Sequence, residues 1–208
     1  MLPQAGMGSP YTNCSLPDPR LATPTTWSCD TEAPGNTSYV SLIPPDFHLP
    51  GDLTYRLSTS MVPMLEGFSA GIWSELYGLV RNWTETYGAT NIISGPIFDH
   101  SHRGHLDVTN IINGSSGIPS DYFTIISQRG SDVTRLDTCR DPHVLAFILP
   151  HRPSYTFNCQ NATHYLLDNE VRVRDVELLT GLEFFTNTPV ESSAQIRTAL
   201  PHTLWNMS

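Results

Sequence analysis

Basic residues are scarce in this chain: Lys and Arg number 11 against 20 acidic residues, for a net charge of −9. Affinity for polyanions comes mainly from Lys and Arg neutralising phosphates, so the composition argues against nucleic acid as a partner. Arg129, Arg135, Arg140, His151 and Arg152 fall in neighbouring segments, either as a local basic patch or as scattered solvated charges. Long apolar runs are missing too. No stretch approaches the roughly 18 residues of a membrane span, and Met1 to Pro10 has neither the apolar core nor the charged start of a signal peptide. A fragment of a longer secreted protein, or a chain without its true N-terminus, is therefore expected. No Gly-rich phosphate loop, Gly-x-Ser-x-Gly elbow or His-Glu-x-x-His run occurs, which removes the chemistries those motifs serve. Glu177 and Glu183 do not share a helical face and make no glycosidase-type pair.

What is present points outside the cell. Six Asn-x-Ser/Thr sequons, at Asn13, Asn36, Asn82, Asn113, Asn161 and Asn206, predict a glycosylated protein of the secretory pathway. A length of 208 residues suits one domain with a loose arm and is enough to bury a core without disulfides. Residues 1–37 are rich in Pro, Thr, Ser and Gly without periodicity and read as an irregular arm; residues 38–208 read as the domain.

Within the domain, Ser38 to Ile43 is a short β-prone run stopped by Pro44-Pro45, and Tyr55 to Ser60 is a candidate second strand. From Pro63 to Tyr87 apolar residues recur at helical spacing. Met64, Phe68, Ile72, Leu76, Leu79, Val80 and Trp83 share one stripe, with Pro63 placed to start the helix and Gly88 to end it. Thr90 to Ile97, Asp121 to Ser127 and His143 to Leu149 are apolar enough for strands covered on both faces. Thr163 to Asn169 fits a short helix. Asp175 to Gly181 fits another, with Asp175 at its N-cap or in its first turn and Gly181 just past its end. This order predicts an α+β fold on a mainly antiparallel central sheet flanked by helices.

The run Asp99-His-Ser-His-Arg-Gly-His-Leu-Asp107 has the outline of an EF-hand-type calcium loop, with Gly104 at position six for the sharp turn. Asp99, Ser101, the carbonyl of His105 and Asp107 are its candidate ligands. Arg103 stands where a carboxylate belongs. Three readings stay open: weak binding of one calcium ion, a Zn²⁺ or Cu²⁺ site on His100, His102 and His105, or a solvated loop that binds nothing.

The segments Thr90-Asn-Ile-Ile-Ser-Gly-Pro-Ile-Phe-Asp99, Phe147-Ile-Leu-Pro-His-Arg-Pro153 and Arg172 to Phe185 together resemble the C-terminal nuclease-like domain of the ectonucleotide pyrophosphatase/phosphodiesterases. The resemblance runs from about Cys14 to the C-terminus. It implies a degenerate ββα-metal (His-Me finger) endonuclease fold, catalytically silent, packed in the family on a separate two-zinc phosphodiesterase domain. Nothing in this chain resembles that second domain, which is the expected partner in a full-length protein.

Active endonucleases of the superfamily hold Mg²⁺ through an Asn at the head of the long helix and use a His of an Asp-Arg-Gly-His run as general base. By resemblance these positions fall on Ser60 and Ser41, a poor ligand and a group that holds no proton near neutral pH. His48 is the nearest imidazole. No catalytic residue is therefore assigned, and the expected role is structural or as an interaction module outside the cell. The alternative is a metal-dependent nuclease or phosphodiesterase, and Mg²⁺ belongs to that alternative alone. His151 and Arg152 read as a sheet-edge or interdomain contact.

In the family, the cysteines matching Cys14, Cys29 and Cys159 pair outside the region present here. The one matching Cys139 closes a short loop to a neighbour about ten residues earlier that this sequence lacks. Four cysteines allow three pairings. Cys14–Cys29 with Cys139–Cys159 closes the shortest loops and stands against partly free thiols.

Overall fold

Two antiparallel sheets and a set of helices build the domain, and the computed structural model describes residues 15–22, 33, 35–101, 103–104, 117–128, 144–154 and 160–205. The first sheet is a pair of strands, β1 (Thr37–Ser41) and β2 (Met61–Leu65), with Tyr39 opposite Pro63 and Ser41 opposite Met61. Pro63 was expected to open the long helix, yet it lies inside β2. Pairing with β1 claims the backbone of residues 61–65, and proline is tolerated because the short ribbon needs no N–H from it. Its carbonyl accepts the Tyr122 hydroxyl at 2.6 Å and so fixes the ribbon to the main sheet.

The helical stripe follows directly. It runs as α1 (Glu66–Phe68), a π-type segment from Ser69 to Trp73, and α2 (Ser74–Tyr87). Gly71 breaks the regular path at φ −93°, ψ −117°, a departure that glycine adopts at low cost. Most of the predicted stripe is buried, but Met64 is buried from β2 rather than from the helix and Leu79 is half-buried. Met64, Phe68, Ile72, Leu76, Val80 and Trp83 are each 2 % exposed or less, and each such side chain contributes about 1.5–3 kcal/mol by leaving water. Gly88, at φ +86°, ends the helix as anticipated.

The second sheet has the order β3 (Thr90–Ile97), β4 (Asp121–Gln128), β5 (Val144–Pro150), β6 (Glu170–Val171), antiparallel throughout. Its central strands bury both faces. Tyr122, Ile126, Leu145, Phe147 and Leu149 pack on the long helix. The alternate residues Phe123, Ile125, Val144 and Ala146 pack on the helices behind, as the two-residue period of a strand requires. β3 is an edge strand and exposes Ile93.

Three further helices complete the domain: α3 (Ala162–Asp168), α4 (Val173–Thr180) and α5 (Val190–Thr198). Asn161 caps α3 by accepting the His164 N–H at 2.8 Å. Asp175 sits in the first turn of α4, where it accepts the Arg172 N–H at 2.9 Å, and Gly181 closes that helix at φ +70°. The helix α5 was not anticipated. Tyr55 to Ser60 is not a strand: Thr54–Arg56 form one 3-10 turn, started by the Asp52 carboxylate on the Thr54 N–H. Part of the arm lies against this stretch. Leu16 bridges Leu57, and the buried Asp18 carboxylate accepts the Thr59 hydroxyl at 2.6 Å and grips Arg20.

Candidate functional site

The β1–β2 ribbon and α2 enclose a groove of about 1030 Å³, and its walls include Ser38, Ser41, Tyr55, Arg56, Trp73 and Arg81. Arg81 is paired with Asp46 and stacks over the Phe47 ring at 5.9 Å. Tyr77 closes the floor. Burial pushes its hydroxyl up to about 12, and that hydroxyl bonds Ser94 at 2.9 Å.

The two positions singled out by resemblance meet at one end of the ribbon. Ser41 lies opposite Met61, and the Leu42 N–H bonds the Ser60 carbonyl at 2.9 Å. Ser41 lines the groove but is buried, with its hydroxyl donating to the Ile43 carbonyl at 2.6 Å. Among the described residues no imidazole lines this groove. His48 turns away from it. Its Nδ1 lies 3.4 Å from both Asp52 and the Thr54 hydroxyl, and its ring packs on Tyr55 at 5.4 Å.

At the far end of β3, the chain turns around Asp99. Asp99 is buried, and its two carboxylate oxygens accept the Arg103 N–H at 3.0 Å and the Gly104 N–H at 2.8 Å. The Ser101 hydroxyl reaches it at 3.4 Å. Gly104 has φ +75°, which accounts for glycine at this position. The described part of the loop sets one hydroxyl beside the Asp99 carboxylate, and among the described residues no group of three or more possible His, Cys, Asp or Glu metal ligands forms. His102, His105 and Asp107 lie outside the described residues, as do Cys14, Cys29, Cys139 and Cys159 and the sequons at Asn13, Asn113 and Asn206. The described sequon asparagines, Asn36, Asn82 and Asn161, are all exposed. Asn161 caps its helix through Oδ1, which leaves Nδ2, the atom that carries a glycan, out of the cap.

His151 is where the structure corrects the reading of an edge or interdomain contact. The ring is buried, its Nε2 accepts the Leu65 N–H at 2.8 Å, and its Nδ1 donates to the Pro119 carbonyl at 3.0 Å. It thus joins the end of β2 to the entry of β4, edge-on to Phe68 and Tyr122 at 5.1 Å each. Burial holds its pKa below the ordinary histidine value, consistent with one nitrogen accepting while the other donates. Beside it Gly67 is pressed against the Pro153 carbonyl, so closely that no side chain fits. The His-Arg-Pro turn is therefore a clamp on the head of the helix. The apolar run Phe147-Ile-Leu-Pro150 that leads into His151 was the signal that could have placed it inside.

An antiparallel ribbon leading into a long helix over an open groove, backed by a larger antiparallel sheet, defines a nuclease-like α+β domain. A family model described as DNA/RNA non-specific endonuclease matches residues 46–191, and the chain belongs to that family. Venom phosphodiesterase 2 of Crotalus adamanteus is 32% identical over 208 aligned residues, which cover 91% of this chain and 26% of the relative. Ectonucleotide pyrophosphatase/phosphodiesterase family member 3 of Bos taurus is 32% identical over 224 residues, covering 96% of this chain and 25% of the relative. The same family member of Mus musculus is 35% identical over 162 residues, covering 70% of this chain and 18% of the relative. The chain thus spans between 18% and 26% of the length of these curated relatives, and its likeness is to their nuclease-like region. Among the described residues no helix is long and apolar enough to cross a membrane.

Proposed function

We propose that this chain is a catalytically silent, extracellular nuclease-like module whose role is structural or as an interaction surface, and that it works beside a phosphodiesterase domain in a full-length protein or a related chain. The observation that carries this reading is the groove. It has the place and size of a cleft for chemistry, but Ser41 stands where resemblance puts the general base, and Arg81 is tied to Asp46. A buried hydroxyl already donating to a carbonyl takes no proton from water near neutral pH, and loss of one catalytic group commonly lowers a rate by orders of magnitude. Exposed asparagines in three sequons support glycan attachment at Asn36, Asn82 and Asn161. Any calcium bound at the Asp99 loop is held weakly, since Arg103 opposes the cation that Asp99 attracts.

The test is turnover. Purified chain is offered single- and double-stranded DNA, RNA and a nitrophenyl phosphodiester, each with Mg²⁺, Mn²⁺ or Ca²⁺, and no hydrolysis above blank is expected. Metal-dependent cleavage that disappears in His48→Ala would overturn the reading in favour of a relocated active site and the endonuclease alternative.

A further inference from the structure

Asn82 carries the sequon Asn82-Trp83-Thr84, is exposed, and belongs to α2, the helix that walls the groove. Ser74, Gly78 and Asn82 follow at four-residue spacing and so form one row along that helix. A helical side chain leans toward the N-terminus and covers the turn before its own Cα. A glycan on Asn82 is therefore directed over Gly78 and Ser74, both exposed and both in the lining of the groove.

Gly78 leaves that route open. A Cβ built on it meets no described atom within 4 Å, and glycine inside a helix is less stable than alanine, so no described contact calls for it. The groove beyond suits a ligand rich in hydroxyls. Tyr39 and Tyr55 are half-buried in its lining, together with the buried Trp73 and Tyr77, and aromatic rings pack well against the C–H faces of sugars. Ser38 and Ser74 bring exposed hydroxyls, Arg56 and Arg81 are donors, and Asp46 is an acceptor. A sugar hydroxyl both donates and accepts, so it can use each of these groups. The Trp73 indole N–H is buried and has no acceptor among the described residues, which leaves one donor of a lining residue unsatisfied.

We propose that the N-linked glycan of Asn82 folds back along α2 and occupies the groove, so that the module carries its own groove ligand. The inference rests on the glycosylated, extracellular reading above. The row from Asn82 to Ser74 covers about 12 Å of helix, a distance that a short chain of linked sugars spans. Sugars lying there touch α2 on one side and Ser38 and Tyr39 of β1 on the other, and so join the helix to the ribbon. They also fill the cleft before a nucleic-acid strand can enter it.

The whole chain, secreted with high-mannose glycans from a eukaryotic host, tests this through the rate at which an endoglycosidase trims each site. Glycopeptide mass spectrometry should find Asn82 occupied. In the native protein its glycan should be trimmed at least about tenfold more slowly than those of the other occupied sequons, a difference that denaturation removes. Gly78→Leu, and independently Ser74→Leu, sets an apolar side chain in the path from an exposed helical position and should bring the Asn82 rate to that of the other sites. An empty Asn82 beside occupied Asn36 or Asn161 overturns the docked glycan alone, whereas no glycan at any sequon overturns the extracellular reading with it. Equal trimming of all occupied sites in the native chain, or slow trimming at Asn82 that both variants leave unchanged, also overturns the proposal.

Discussion

Replacing His151 by Ala tests whether the clamp belongs to the fold or to a lost interface. The substitution removes an aromatic ring packed on Phe68 and Tyr122, and leaves the Leu65 N–H and the Pro119 carbonyl facing an apolar gap. A buried donor left without its acceptor costs about 1–3 kcal/mol, and the gap adds a cavity term, so about 3–5 kcal/mol in total is expected. For a domain of this size each kcal/mol moves the midpoint by roughly 2–4 °C, so Tm should fall by roughly 10 °C. His151→Phe restores volume but not the hydrogen bonds and should recover only part of the loss. Acid should act on the same contact. Burial depresses the His151 pKa below the unfolded value of 6.5, so its contribution is fully present above that value and is lost as pH falls through the folded one. Protonated Nε2 can no longer accept the Leu65 amide. Urea unfolding of both variants at several pH values is the assay. An Ala variant within about 1 kcal/mol of the parent would refute the clamp and return His151 to the interdomain role that its sequence position suggested.

Gly67→Ala should destabilise the domain even though the residue is exposed and helical, because the added Cβ runs into the Pro153 carbonyl; an unchanged Tm would show that the His-Arg-Pro turn yields freely. Replacing Ser101 and Arg103 together by Asp should create a calcium-dependent rise in Tm that the parent lacks, since a ligand that binds only the native state stabilises it with the logarithm of saturation. A gain of several degrees in sub-millimolar calcium for the unmodified chain would sink the weak-site argument, and a gain in zinc alone would favour the histidines. Glu177→Gln should loosen α4 from α5 at a cost of about 3 kcal/mol, because the carboxylate accepts the Phe184 N–H at 2.9 Å and holds Arg197 at 2.6 Å. Burial pushes that carboxyl up, but the Phe184 amide and the Arg197 and Arg174 guanidiniums outweigh it and hold the pKa low. Its stabilisation should therefore persist to acid pH and disappear only as pH falls through that lowered value, a transition that urea midpoints should show in the parent and not in the variant.

How much of this was legible depended on whether a residue's state is set by its neighbours in sequence. The stripe from Phe68 to Trp83 shows a helical period and its buried residues belong to the core, which Met64 joins from β2. The central strands were legible for the same reason. Pro63 was misplaced because its strand exists only through pairing with β1, a contact absent from the local sequence. The helix α5 has just one buried residue, Ser193, so it carries almost no apolar period to read. Glu170 passed without notice because a lone acid near a helix start reads as solvated, whereas it lies in β6 beside β5 and is buried. The Asp99 loop was legible as an outline. Its remaining candidate ligands, His105 and Asp107, lie outside the described residues.

The groove and the clamp separate two requirements that one active site would combine. What holds the ribbon, helix and sheet together is the Tyr122 hydroxyl on Pro63, the His151 bridge from Leu65 to Pro119, and the bare Gly67 against Pro153. None of these atoms lies at Ser41 or Ser60. A framework whose supports are disjoint from the positions that chemistry would need folds equally well with or without that chemistry. Family membership therefore fixes the architecture here and leaves activity to be decided by the side chains in the groove. Those side chains include hydroxyls, aromatic rings, two arginines and the Asp46 carboxylate that pairs with Arg81. Turnover and fold stability must therefore be assayed separately in this domain.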